Sequence, residues 1–224
     1  MAERVDPVSP LKLASLLLQY PRAELRAAAA AAAKLEIGPG AQRAVAPLRD
    51  FCRWYAGRPL AELERRYVDA FDFTKQCSLH LSYHVHGDRR QRGMAMLQLK
   101  EAYRAAGFEP PADELPDYLP LMLEFAAIAP GAAGRDLLED NRVSIELVRA
   151  GLKREESPFA PLLEVVVGSL GKLNGRKLAR IRKLAAEGPP AEEVGLEPFA
   201  PPEVMPTAGP EPARPLVGGR GETP

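Results

Sequence analysis

Cys77, His80, His84 and His86 come closest in this sequence to the makings of a metal or nucleophile site. On one helix, spacings of three and four would put Cys77, His80 and His84 on a shared face, and thiolate with imidazole suits zinc. A closed zinc site needs a fourth ligand. His86, two residues past His84, points off that face unless the helix has already ended. Catalysis would also need an acid such as Glu124 or Asp117, which stands at no recognised spacing from the histidines. A metal-dependent hydrolase built on His80, His84 and His86 is therefore the alternative reading, not the leading one. Cys77 with His80 as a nucleophile pair lacks an orienting third residue and an oxyanion hole. Cys52 follows Phe51 on an apolar face and reads as packing.

Two polar turns flank this histidine stretch. In Gly87-Asp88-Arg89-Arg90-Gln91-Arg92-Gly93, Asp88 is placed to cap the following helix, and the guanidiniums can pair with carboxylates or phosphate. No lysine-serine or lysine-threonine follows, so it is not a Walker-type loop. The arginine cluster is too small to carry nucleic-acid binding, and the balance of 30 Lys+Arg against 30 Asp+Glu adds no long-range pull. In Glu114-Leu115-Pro116-Asp117-Tyr118-Leu119-Pro120, Asp117 either flanks a helix N-terminus or joins Glu114 as negative charge on the edge of an apolar groove. Tyr67, Phe71, Tyr83, Tyr118 and Phe125 are the aromatics available to line such a groove, and that surface suits an amphipathic peptide.

Helices must position these residues. Ser9 and Pro10 stand as N-cap and N1 of a helix running to Tyr20. Ala23 to Leu35 is a strong helix former, broken by Gly38-Pro39-Gly40. Leu48, Phe51, Cys52 and Tyr55 mark one helical face; Leu60, Leu63, Tyr67 and Phe71 mark another, opened by Pro59. Periodicity resumes at Met94, Leu97 and Ala102, then at Leu119, Met122, Leu123 and Ala126, with Pro116 and Pro120 both in the opening turn. Leu137 to Leu152 fits one further helix, Leu162 to Leu170 another, and Lys172 to Glu187 a basic terminal one. Alternating strand patterns and hairpin dipeptides are absent. The expected fold is all-α: a single bundle-like helical domain with a flexible Pro/Gly-rich C-terminal tail. Residues 1–10 form a loose arm, 11–187 the helical domain and 188–224 the tail. With two cysteines and no signal-peptide or membrane-span pattern, the expected location is cytoplasmic.

Several blocks occur in order: Tyr67-Val68-Asp69-Ala70-Phe71-Asp72, Ser78-Leu79-His80-Leu81, Tyr83-His84-Val85-His86-Gly87-Asp88, Arg92-Gly93-Met94-Ala95-Met96, and Glu114 to Pro120. Together they resemble the delta subunit of respiratory nitrate reductase, a molybdenum-cofactor assembly chaperone among the redox-enzyme maturation chaperones. The resemblance runs from about residue 10 to residue 170 and leaves out the proline-rich tail. It implies an all-helical cytoplasmic chaperone with no catalytic chemistry and no cofactor of its own. Its implied partner is the apo alpha subunit of nitrate reductase, alone or with beta. It would bind that subunit's N-terminal leader-like peptide, keep it competent for insertion of bis-molybdopterin guanine dinucleotide, and delay docking on the membrane subunit. No nucleic acid and no stable membrane association are implied. The peptide-binding residues carried over are Tyr67, Phe71, Tyr83, His84, His86, Asp88, Arg89, Glu114, Asp117 and Tyr118; Cys77 and His80 receive no role.

Overall fold

The computed structural model describes residues 9–34, 42–87 and 89–188. Most of the expected arm, the Gly38-Pro39-Gly40 breaker, Asp88 and the tail from residue 189 lie outside the described residues. Two units divide the chain, residues 1–192 and 193–224, and only the first contains described residues.

Among the described residues every regular element is helical. Ser9 precedes α1 (Pro10–Leu17), with proline in the first turn where its missing N–H costs nothing. The helix ends sooner than Tyr20, and Leu18 and Pro21 carry the chain into α2 (Ala23–Ala32). Pro59 precedes α4 (Leu60–Phe71), which follows α3 (Gln42–Ala56). The predicted faces of α3 and α4 are buried: Leu48, Phe51, Cys52 and Tyr55 on one, Leu63, Tyr67 and Phe71 on the other. Phe51, Tyr67 and Phe71 converge on Phe159, with ring centroids 5.7, 6.0 and 5.0 Å from it. A single 3-10 turn, Lys75–Cys77, leads into the short α5 (Leu81–His86), and α6 (Gln91–Ala105) follows.

Two helices are enclosed, one apolar and one carrying buried charge. In α7 (Leu119–Ile128) buried side chains point in all directions, and in α9 (Arg142–Arg154) every residue from Arg142 to Val148 is buried. Helices apolar or enclosed all round belong inside a bundle. Around them, α1 packs on α7, α2 on α3, and α8 (Ala133–Asp140) on α7; α10 (Ala160–Gly168) packs on α3, α1 and α9, and α11 (Gly175–Glu187) on α9. Ser15 Oγ donates to the Pro120 carbonyl at 2.7 Å and pins α1 across the start of α7.

Three sequence expectations are corrected here. Leu137 to Leu152 is two helices, because Asn141 leaves the helical backbone region, with φ −94° and ψ 10°, and its Nδ2 donates to the Leu137 carbonyl at 2.9 Å, competing with the last ladder bond of α8 at 3.3 Å. On α6 the buried face is Leu99 and Tyr103; Met94 and Leu97 are 59% and 55% exposed. The aromatic partner decides this, since Tyr103 stacks edge-on against Phe125 at 4.9 Å and donates to the Pro116 carbonyl at 2.8 Å. Of the two prolines, only Pro120 lies in the opening turn of α7.

One buried ion pair escaped the sequence reading. Arg142 and Glu146, 4% and 3% exposed, meet at 2.9 Å inside α9, and Glu146 also accepts from Arg149 at 2.7 Å. Arg149 continues to Glu164 at 3.0 Å, tying α9 to α10.

Candidate functional site

The segment before α5 crosses the segment before α7 antiparallel, and that crossing organises the site. The Leu119 N–H donates to the Leu79 carbonyl at 2.8 Å, the Leu81 N–H donates to the Asp117 carbonyl at 3.0 Å, and His80 pairs with Tyr118 as an isolated bridge. Neither segment is long enough for a sheet. Each uses the other to satisfy backbone groups that a buried turn would otherwise leave unpaired.

Asp117, 0% exposed, is the centre of the crossing. Its Oδ2 accepts from the Ser82 backbone N–H at 3.2 Å and from the Ser82 hydroxyl, and its Oδ1 lies 3.3 Å from His80 Nδ1. Arg92 reaches in from α6, with Nη2 3.7 Å from Oδ2 and Nε donating to Ser82 Oγ at 3.2 Å. Burial alone would raise the Asp117 carboxyl. The hydrogen bonds from His80 and Ser82, with the His80 and Arg92 charges, outweigh that and hold it below the ordinary carboxylate value. Asp117 therefore satisfies the first turn of α5 from another segment; it does not cap α7, whose preceding residue is Tyr118.

Tyr118 carries the crossing to the surface. Its ring lies 5.4 Å from that of His80, and its hydroxyl is 3.3 Å from that of Tyr67, which also donates to the Leu18 carbonyl at 3.1 Å. Tyr20 packs edge-on against Tyr67 at 5.5 Å. Outside these rings is an open groove of about 570 Å³ between the α1–α2 connection and the start of α7. Its walls include Tyr20, Tyr118 and Leu121, and its rim carries Asp113, Glu114 and Glu124 with Arg22 as a cation. Lys12 is hydrogen-bonded to Glu124 at the same end.

The other sequence-level candidates are spread out. Tyr67 and Phe71 are buried beneath the groove and in the aromatic core around Phe159. Tyr83 is half-buried under the Arg92 guanidinium, 5.9 Å from its ring centre. His84 is buried, with Nε2 donating to the Ser78 carbonyl at 2.8 Å; burial lowers its pKa below the ordinary histidine value, against the opposing pull of Ser78 and Asp117. His86 sits at the end of α5, where Gly87 turns the chain with φ 58°. It lines a separate cavity of about 340 Å³ among α5, α6, α8, α9 and α11, and burial, then Arg180, lowers its pKa. Arg89 is exposed. Glu114 and Tyr118 are thus the two candidates brought together on one open surface, while Asp117 supports it from inside.

The shared helical face for Cys77, His80 and His84 is not present. Cys77 ends the 3-10 turn, His80 precedes α5, and only His84 is helical. Among the described residues no three His, Cys, Asp or Glu side chains are grouped to hold a metal ion. Burial pushes the Cys77 thiol up to about 11, which keeps it protonated and a poor ligand or nucleophile. Arg92, Ser82 and Tyr20 were missed as site residues. The signal for Arg92 and Ser82 is only a buried carboxylate in need of donors, and sequence does not reveal which carboxylate is buried.

The family model described as nitrate reductase delta subunit matches residues 34–164, the stretch that contains the whole crossing. The chain is 36% identical over 163 residues to the probable nitrate reductase molybdenum cofactor assembly chaperone NarJ of Bacillus subtilis, covering 73% of this chain and 89% of that protein. It is 31% identical over 161 residues to the probable chaperone NarW of Escherichia coli, covering 72% and 68%. A further match, 40% identical over 118 residues, is to the nitrate reductase-like protein NarX of Mycobacterium tuberculosis; it covers 49% of this chain and only 18% of that larger protein. On the extent of the family match and the coverage of these relatives, the chain belongs to the nitrate reductase delta subunit family.

Proposed function

We propose that this protein is an assembly chaperone for a respiratory nitrate reductase. Its cargo is the N-terminal leader-like peptide of the apo alpha subunit, presented alone or with beta. Holding that peptide supports insertion of bis-molybdopterin guanine dinucleotide into the client and delays docking on the membrane subunit. The chaperone performs no covalent step and holds no cofactor of its own. It acts in the cytoplasm; among the described residues no helix is long and apolar enough to cross a membrane.

The observation that carries this reading is the open groove beside Tyr118, an aromatic and leucine wall under a rim of Asp113, Glu114 and Glu124. An amphipathic peptide fits by laying its apolar face on Tyr20, Tyr118 and Leu121 and pointing a basic residue at the rim. Tyr118 and Glu114 contact the peptide. Tyr67 and Asp117 set the position of Tyr118; Tyr83, His84 and His86 belong to α5, and neither they nor Arg89 line the groove.

Isothermal titration of the chaperone with the alpha subunit's N-terminal peptide tests this. Tyr118→Ala is expected to weaken binding by at least tenfold, as truncation of a central aromatic anchor does, and Glu114→Gln to weaken it and flatten its salt dependence. Absence of heat at micromolar concentrations, or unchanged dissociation constants in both variants, would remove the groove from the reading.

A further inference from the structure

We infer that the outward face of α11 is a docking surface for an anionic lipid bilayer, engaged reversibly through headgroup phosphates. This inference is independent of the peptide groove, since α11 lies beyond the family match and contributes no residue to the groove.

The helix, GRKLARIRKLAAE, carries five cationic side chains against one carboxylate, Glu187, in a chain of formal net charge +0. It is a bona fide helix: Asn174 caps it by accepting from the Lys177 N–H at 2.8 Å. Yet none of its residues is buried. Lys177, Ile181 and Leu184 are half-buried towards the body, where Lys177 Nζ donates to the Glu139 carbonyl at 2.7 Å. Arg176, Arg180 and Lys183, at helical spacings of four and three, form an exposed stripe whose Arg180 also lines the His86 cavity, and exposed Arg182 flanks it. Among the described residues Lys177 alone of these cations forms an ion pair, with Glu139 at 3.4 Å.

Charge placed this way selects its partner. Protein carboxylates neutralise cations they have evolved to meet, but here Arg176, Arg182 and Lys183 face solvent, with exposed Arg180 between them and the His86 cavity. The surface between them is Ala179 and Ala186, with Leu178 38% exposed at its edge, so a flat array of phosphates can approach closely. No aromatic side chain stands on α11 to stack a base, and no asparagine or glutamine to read a groove edge, which disfavours nucleic acid. Polybasic helices of this density are attracted to anionic headgroups by about fivefold in partition per charge. Because Ile181 and Leu184 turn inward and only Leu178 stands exposed at the edge, there is no second, insertion-based anchor. Contact is therefore weak, peripheral and screened by salt.

The test is co-sedimentation of the full chain with phosphatidylglycerol–phosphatidylcholine vesicles and with phosphatidylcholine alone, at low and high salt. The intact chain is expected to partition onto the anionic vesicles only, and to be released by salt. R182Q/K183Q should lower the partition coefficient by about 25-fold and R176Q/R180Q/R182Q/K183Q to the phosphatidylcholine level, at about fivefold per charge. R176K/R180K/R182K, which keeps charge but discards guanidinium geometry, should bind as the parent does. Far-UV circular dichroism of each variant checks that α11 is retained. Equal partition on both vesicle types overturns the inference, as does binding unaffected by the fourfold neutralisation. So does loss of binding in the arginine-to-lysine variant, or preference for a DNA duplex over anionic vesicles at equal charge.

Discussion

Replacing Asp117 tests whether the crossing of the two segments is held by one buried carboxylate. In Asp117→Ala, the Ser82 backbone N–H and hydroxyl lose their acceptor inside the fold, and α5 loses the group that satisfies its first turn. Hydrogen bonds to a charged acceptor contribute about 1.5–3 kcal/mol each, and the two are not additive because both reach the same oxygen. Arg92, 21% exposed and 3.7 Å away, can recover water, so its share is at most about 1 kcal/mol. The expected loss is about 3–4 kcal/mol. Asp117→Asn keeps the size and one acceptor and should lose about half of that. The assay is urea denaturation followed by circular dichroism at neutral pH. The pH dependence has a definite sign: a carboxyl held below its unfolded value stabilises the fold above about pH 4 and ceases to do so as pH falls through its folded value. The gap between the parent and the alanine variant should therefore narrow below pH 4. A loss under about 1 kcal/mol at neutral pH, or a gap unchanged on acidification, would show that Asp117 is not what holds the crossing.

Two further outcomes follow from the same packing. His84 is buried with a lowered pKa, so the unfolded chain takes up a proton that the folded chain resists, and stability should fall as pH drops below about 6.5. Denaturant midpoints of His84→Gln at pH 7.5, 6 and 5 should show a shallower slope than the parent; His86, shifted the same way, leaves a residual slope. A second perturbation tests the close approach of α9 to the 3-10 turn: a methyl group on Gly151 would meet the Gln76 carbonyl at 2.8 Å and Cys77 Sγ at 3.0 Å. Gly151→Ala is expected to destabilise by about 1–3 kcal/mol through overpacking, and a variant as stable as the parent in thermal melts would show that the contact can relax.

Much of the bundle was legible in the chain itself. Leu63, Tyr67 and Phe71, or Phe51, Cys52 and Tyr55, repeat at helical spacing and are buried as that spacing requires, because a helix hides whichever stripe is apolar. The α6 face was misread because Met94 and Leu97 are no less apolar than Leu99. What separates them is Tyr103 meeting Phe125 and Pro116, partners remote in sequence. The break at Asn141 was missed because its side-chain amide competes with a ladder that periodicity assumes to be continuous. Membership of the delta subunit family was likewise visible in the ordered blocks, and the family match bears that out.

The candidate site divides in the same way. Residue types alone identified the two polar turns and ranked a metal or nucleophile site second, by counting ligands and spacings; only the structure shows that Cys77, His80 and His84 share no helical face. Residue types did not show that Asp117 faces inward while Glu114 and Tyr118 face out. Neighbouring residues in an irregular segment have no period to assign them sides. Only the antiparallel pairing of His80 with Tyr118 sets the register, and once it is set Asp117 must find its donors in Ser82, His80 and Arg92. Sequence determined the helices and the chemistry on offer. The tertiary crossing decided which of that chemistry is structural support and which is exposed to a partner.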